Sequence, residues 1–297
     1  MSWITIVIVA YFLNAISVTA DKFLLSKKIP NPAVYAFFIS IFNLFALVLI
    51  PFGFHFASPA QIIIALLAGA AFAFALLYMF KALSENDASR VVPFLGGLQP
   101  IFVLALAWIF LQEKLGGFQL LALAFIIIGT LVISWEKKKS AAHRSSYLWA
   151  LIATLLFAIF YTASKYIYLE QGFVSGFIWT RVGAFVAALS FLLIPRNRRD
   201  ILGGSIASQK SSGPLFIFGQ ICGGLSFILV NYAIEISSSV AIVNALQGLQ
   251  YVFLLIIIVV LGRKFPKLLK EKMAGRILAQ KLLATALIIA GLVFISL

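Results

Sequence analysis

The sequence predicts an all-α integral membrane protein, with ten transmembrane helices arranged as an inverted five-plus-five repeat. Three observations predict it. The 297 residues are 63% hydrophobic with a mean hydropathy of +1.09, far from the composition of a soluble domain. The apolar residues gather into ten runs of roughly 20, the length that crosses ~30 Å of hydrocarbon. Short segments of the first half return in the second at a nearly constant offset.

The first predicted span, Trp3–Leu24, has no basic residue ahead of it and nine runs behind it, which argues against a cleaved signal peptide. It carries Asn14 near its middle and ends on Thr19-Ala20-Asp21-Lys22. Span 2, Pro32–Pro51, closes on Leu49-Ile50-Pro51, and span 3, Pro59–Leu83, leads into a polar clasp from Ser84 to Arg90. Span 4, Ala88–Leu111, is an apolar run interrupted at Gly96, Gly97, Gln99 and Pro100. Such residues weaken a helix in water but are tolerated in a membrane when neighbouring helices satisfy the backbone. Span 5 is Gly117–Trp135.

The second set begins at span 6, Tyr147–Leu169, where Thr162-Ala163-Ser164-Lys165 repeats the end of span 1 at an offset of 143. Span 7, Phe173–Pro195, holds Arg181 and closes on Leu193-Ile194-Pro195, offset by 144. The connection Arg196–Gly213, with Gly203-Gly204 and several serines, reads as a flexible linker. Span 8, Pro214–Glu235, carries a GxxxG at Gly219 and Gly223, a helix-packing motif. In span 9, Ser239–Gly262, Gly248-Leu249-Gln250 answers Gly97-Leu98-Gln99 at an offset of 151. Span 10, Ala279–Leu297, answers span 5 through Gly291 and Ser296 for Gly129 and Ser134, offset by 162. The growth in offset places an insertion in the basic connection Arg263–Lys281. That connection suits an interfacial helix on anionic lipids, or a solvated loop that only fixes orientation. The division is therefore 1–135, a basic linker 136–146, and 147–297. Five is odd, so the second copy enters from the opposite side, a plan common in secondary transporters.

A formal charge of +14 raises the question of nucleic acid, but a nucleic-acid footprint needs Lys and Arg clustered on a soluble face. Here they sit between apolar runs. All 23 except Lys114, Lys165 and Arg181 fall in, or within a few residues of, connections that follow odd-numbered spans. The positive-inside rule then puts those connections in the cytoplasm and both termini outside, in a cell (inner or plasma) membrane. The one cysteine, Cys222, lies inside an apolar run, which leaves no disulfide framework or cysteine metal site.

Nine carboxylates and two histidines, His55 and His143, form no HExxH, phosphate loop or paired acids at catalytic spacing, so no enzyme or metal cofactor is expected. Gln99 and Gln250, equivalent under the repeat and near mid-span, fit either a substrate role at the midplane or polar glue between helices. Asn14, Asn244 and Gln247 could join them. Arg181, deep in span 7, costs about 2.5–3.5 kcal/mol on insertion scales and should face the protein interior. There it holds either a substrate anion or neighbouring carbonyls. Lys22 and Lys165 are candidates for the mouths of a cavity or for snorkelling anchors, and Asp21 is the candidate for proton coupling. Gly96, Gly97, Pro100 and Gly248 are the hinge or packing candidates.

The Ala88-Ser89-Arg90-Val91-Val92-Pro93 opening of span 4, its Pro100, and Glu113 just past it resemble the ten-helix EamA-like branch of the drug/metabolite transporter superfamily. Lys22 closing span 1, and an Arg in the second helix of a repeat, here Arg181, add to the resemblance, which covers essentially the whole chain. It implies a central cavity lined mainly by spans 1, 3, 4, 6, 8 and 9, and alternating-access movement of small metabolites, amino acids or drugs. The expected function is secondary transport of a small polar metabolite or amino acid, by a monomer or weak homodimer. A lipid-headgroup flippase is the rival within the superfamily, and a channel or scaffold the rival outside it. Three departures stand out. Tyr251 replaces Pro100 in the second copy, Lys264 replaces Glu113, and Phe37 stands where the second copy has Arg181. Members of the family commonly keep both termini inside, against the charge pattern here. The superfamily's four-helix cation exporters place a carboxylate in mid-helix. No span here has one, so the expected cargo is neutral, zwitterionic or anionic.

Overall fold

The apolar runs become helices in the computed structural model, which describes residues 2–24, 31–85, 88–133, 144–203, 213–262 and 276–296. The order is α1 (Trp3–Leu24), α2 (Pro32–Phe42), a 3-10 segment (Asn43–Phe52), α3 (Pro59–Glu85), α4 (Ala88–Phe110) and α5 (Gly117–Ile133). Then follow α6 (Arg144–Gln171), α7 (Phe173–Leu189), a 3-10 turn (Ser190–Leu193), α8 (Pro195–Leu202), α9 (Gly213–Ile236), α10 (Val240–Ala245), α11 (Gly248–Gly262) and α12 (Arg276–Ser296). Among the described residues seven stretches are long and apolar enough to cross a membrane, and three shorter ones, Phe94–Phe110, Gly117–Ile133 and Ala279–Ile295, are apolar as well. Together they account for the ten expected spans. This is an all-helical, multi-pass membrane fold.

Span 4, with its glycines and proline, is the continuous helix expected of a membrane span, from Ala88 to Phe110. Two details differ from the sequence reading. Span 9, which has no proline, is broken at Leu246-Gln247 between α10 and α11. The connection read as a flexible linker begins with a helix, α8, started by Pro195 at a first-turn position that needs no N–H. Asn31 anchors it: its Nδ2 donates to Asp200 Oδ2 at 2.6 Å, while its Oδ1 accepts from Ala33 N at 3.0 Å to cap α2. Residues 204–212 of that connection and 263–275 of the proposed lipid-binding connection lie outside the described residues.

The helices form two compact units that cut across the sequence halves. Unit 1 comprises Met1–Lys27, Lys114–Lys137 and Ser211–Leu297, and unit 2 comprises Lys28–Glu113 and Lys138–Lys210. In unit 1 α1 packs along α9, α5 along α12, and α11 against α1. In unit 2 α3 packs along α6 and α7, and α4 along α6.

Small residues set these contacts, because helices in lipid gain by close packing rather than by hydrophobic exclusion. In unit 2 a Cβ on Gly69 of α3 would run into the Thr180 carbonyl oxygen of α7, and one on Gly183 of α7 would run into the Leu66 backbone of α3. The α3–α6 seam is closed by Tyr78 stacked on Trp149 at 5.5 Å, with Lys81 Nζ 3.5 Å from the same indole. In unit 1 the GxxxG of α9 does what its spacing suggests. A Cβ on Gly219 would come within 2.8 Å of Ala20 Cβ, and one on Gly223 within 2.7 Å of Ser17 Oγ, both on α1. Ser226 Oγ on α9 donates to the Ala10 carbonyl at 2.6 Å and extends that seam. Across α5 and α12, Gln280 Nε2 donates to the Val132 carbonyl at 2.6 Å, and Phe125 stacks on Phe294 at 5.6 Å.

Candidate substrate site

The break in span 9 is the place in unit 1 where polar atoms collect. In a continuous helix the Gln247 N–H would bond to the Val243 carbonyl, four residues back. Here it bonds to Asn244 O at 3.1 Å, and Leu249 N and Gln250 N likewise bond three residues back, to Leu246 O at 2.9 Å and Gln247 O at 3.0 Å. This tight winding releases the Val243 carbonyl. Tyr11 of α1 takes it up, its hydroxyl donating at 3.1 Å. One turn further along α1, Asn14 Nδ2 donates to Gln250 Oε1 at 3.1 Å. Asn244, 2% exposed, turns its Nδ2 back to the Val240 carbonyl at 3.0 Å, and half-buried Gln247 sits in the break itself.

Gly248 starts α11 directly after the break. A Cβ there would collide with Thr130 Oγ1 of α5 and come within 3.2 Å of Ile126, so glycine lets the broken segment lie against α5. The Thr130 hydroxyl and the Tyr251 hydroxyl are both buried with no hydrogen-bond partner. Buried polar atoms are nearly always satisfied, so two exceptions at or beside one helix break call for an explanation.

Unit 2 holds a polar centre of another kind. Arg181 on α7 is 1% exposed, its guanidinium carbon lying 4.7, 4.9 and 5.2 Å from the ring centres of Phe72 (α3), Phe160 (α6) and Phe177 (α7). Its Nε and Nη2 both reach Thr180 Oγ1 at 3.4 Å. Thr180 Oγ1 in turn donates to the Phe177 carbonyl at 2.7 Å. A desolvated cation over aromatic faces gains about 2 kcal/mol or more, which offsets part of the cost of placing the charge so deep.

The remaining candidates are spread out. Gln99, 7% exposed, and Pro100, Gly96 and Gly97 lie in α4, within unit 2. Lys165, expected near a cavity mouth, is 5% exposed and sits six residues before α6 ends, because the helix runs on to Gln171. The side chains of Asp21 and Lys22 lie outside the described residues. Among the described residues no group of three or more His, Cys, Asp or Glu is placed to hold a metal. Sequence reasoning missed Tyr11, Thr130 and the Phe72–Phe160–Phe177 enclosure. Only Phe177, four residues before Arg181, was within reach of helical spacing.

Residues 1–135 match the EamA-like transporter family. That segment is an EamA-like transporter domain, of a family of transporters rather than enzymes. Among curated proteins none matches. A solved structure, described only as the crystal structure of a protein, is similar over 99% of this chain and 96% of its own, with a TM-score of 0.69 and 16% identity. At that identity the likeness speaks for the fold alone.

Proposed function

We propose that this protein is a secondary carrier of a small polar metabolite or amino acid, neutral, zwitterionic or anionic. The substrate is hydrogen-bonded at the break in span 9 by Gln250, Asn14 and Gln247, with Asn244 shaping the turn. The observation that carries the proposal is the Asn14–Gln250 pair beside an interrupted helix, where the Thr130 and Tyr251 hydroxyls are buried without partners. Interrupted helices are where secondary transporters form their sites. Gln99 of α4 is the repeat-equivalent of Gln250 and is assigned the corresponding polar role within unit 2. Gly248 in α11, and Gly96, Gly97 and Pro100 in α4, are the packing or hinge positions of their own helices.

Alternating access follows from two inverted repeats, 1–135 and 147–297. Supporting this, the principal contacts map onto one another under the repeat. Spans 3 and 6 pack together as α3–α6 in unit 2, and their equivalents, spans 8 and 1, pack as α9–α1 in unit 1. Spans 4 and 6 meet as α4–α6, and spans 9 and 1 as α11–α1. Both termini are proposed to lie outside a cell membrane, which reporter fusions at Leu297 check: a fusion active in the cytoplasm overturns the orientation. We assign Arg181 a framework role in unit 2, since a substrate carboxylate could pair with it only if its three rings part.

Counterflow in reconstituted vesicles, run across a panel of amino acids and small polar metabolites, tests the carrier. Saturable counterflow is expected in wild type, with half-saturation raised about 2- to 10-fold for each substrate hydrogen bond lost in Asn14→Ala, Gln250→Ala or Gln99→Ala. Arg181→Gln should leave selectivity unchanged. Non-saturating conduction, or strong transport of quaternary ammonium ions, would rule the proposal out.

A further inference from the structure

An opening of another kind lies within unit 2. Ile64 of α3, Leu106, Phe110 and Leu111 at and beyond the end of α4, and Ile159, Thr162, Ala163 and Tyr166 of α6 line a groove of about 340 Å³. That is the low end of the size range of small-molecule sites. Its lining carries no charge. Its rim is exposed: Phe110 is 72%, Tyr166 40%, Ile159 39% and Ile64 37% accessible. Ile64, Ile159 and Tyr166 belong to candidate membrane spans and Phe110 ends a shorter apolar helix, so the rim meets the lipid phase.

One atom in this apolar lining is out of place. Thr162 is 4% exposed and its hydroxyl has no hydrogen-bond partner. A threonine in an apolar helix ordinarily returns its hydroxyl to a carbonyl four residues back. Thr154 on the same helix does so, to Ala150 O at 2.7 Å, and so does Thr19, the repeat-equivalent of Thr162, to Ala15 O at 2.7 Å. Thr162 alone of these three forgoes the bond, and it lines the groove. A bilayer acyl chain would fill the space but leave this hydroxyl unsatisfied. A charged headgroup would be desolvated against the apolar lining with nothing to pair with.

The geometry points to a lateral site for a neutral, lipid-soluble amphiphile, an apolar body bearing one hydroxyl, ether or carbonyl oxygen that bonds to Thr162. The molecule enters from the bilayer through the gap between α4 and α6, with Tyr166 at its edge. This site is independent of the polar substrate proposed for the span 9 break.

The test uses octanol carrying a photoreactive diazirine, applied to the full-length protein in detergent and in liposomes, with adducts mapped by mass spectrometry. Adducts are expected on Leu106, Phe110, Ile159 or Tyr166 at saturating occupancy. Thr162→Val keeps the shape and loses the hydroxyl, and should raise the half-saturating concentration about 2- to 10-fold, the value of one hydrogen bond. Ala163→Phe fills the groove and should abolish these adducts. If Ala163→Phe does not elute as folded protein, the isosteric Thr162→Val still decides. Adducts spread over all lipid-facing helices, unchanged labelling in Thr162→Val, or displacement by phosphatidylcholine as effective as by unlabelled octanol would each overturn the proposal.

Discussion

Two buried polar centres of this protein are built on opposite principles. In unit 2 a full charge, Arg181, is enclosed by rings from three helices and is 1% exposed. In unit 1 the neutral pair Asn14–Gln250 shares one bond of 3.1 Å beside a broken helix, and Asn14 is half-buried. Opening the first exposes a cation that has lost its water. Opening the second costs little, since hydrogen bonds between transmembrane helices average about 0.6 kcal/mol. A carrier must exchange its own contacts for those of the substrate and then reverse the exchange. Weakly held amides suit that task, and an enclosed guanidinium suits holding α3, α6 and α7 in register.

The largest expected effect falls on the framework side of this contrast. Gly183→Val drives a side chain into the Leu66 backbone and should abolish recovery of monodisperse protein in gel filtration. Gly224→Val, where a Cβ meets nothing within 4 Å, should leave it intact. Next comes the ring enclosure. Phe72→Ala removes a buried aromatic and a face of the cation box and should cost about 3–5 kcal/mol, read as a lowered thermal midpoint. The protein that remains folded should keep its selectivity. A changed substrate preference there would mean that Arg181 serves recognition and the contrast drawn here is wrong. The smallest stability effect is expected in unit 1. Tyr11→Phe withdraws the hydroxyl from the Val243 carbonyl and should cost about 0.5–1.5 kcal/mol. It should also change transport kinetics out of proportion to that loss, and an unaltered transport rate would argue that the break is only structural.

Much of this was legible in the amino-acid sequence, and the exceptions share a cause. Runs of apolar residues declare the ten spans because hydrocarbon leaves the backbone no alternative to helix. Gly219 and Gly223 declared a packing seam because small residues four apart share one helix face. The helix break in span 9 was not read. Proline and glycine in α4 leave that helix whole, because local propensity is overridden where neighbours hold a helix together. In span 9 the break rests on Tyr11, 232 residues away, which takes up a carbonyl that no local residue satisfies. In the same way α8 depends on Asn31 reaching Asp200, 169 residues on. Among 29 phenylalanines, nothing in the sequence marks Phe72 and Phe160 as the two that meet Arg181.

The central claim, that the break in span 9 is where substrate binds, is tested most directly by protection from chemical labelling. Cys222 is the single cysteine of the chain, so Cys222→Ala with Gln247→Cys places one thiol in the break. The maleimide reaction rate at that thiol is followed while the metabolite that wild type exchanges in counterflow is titrated in. Labelling should slow with the same half-saturation as transport. Labelling that is indifferent to a metabolite this variant still transports would contradict the account.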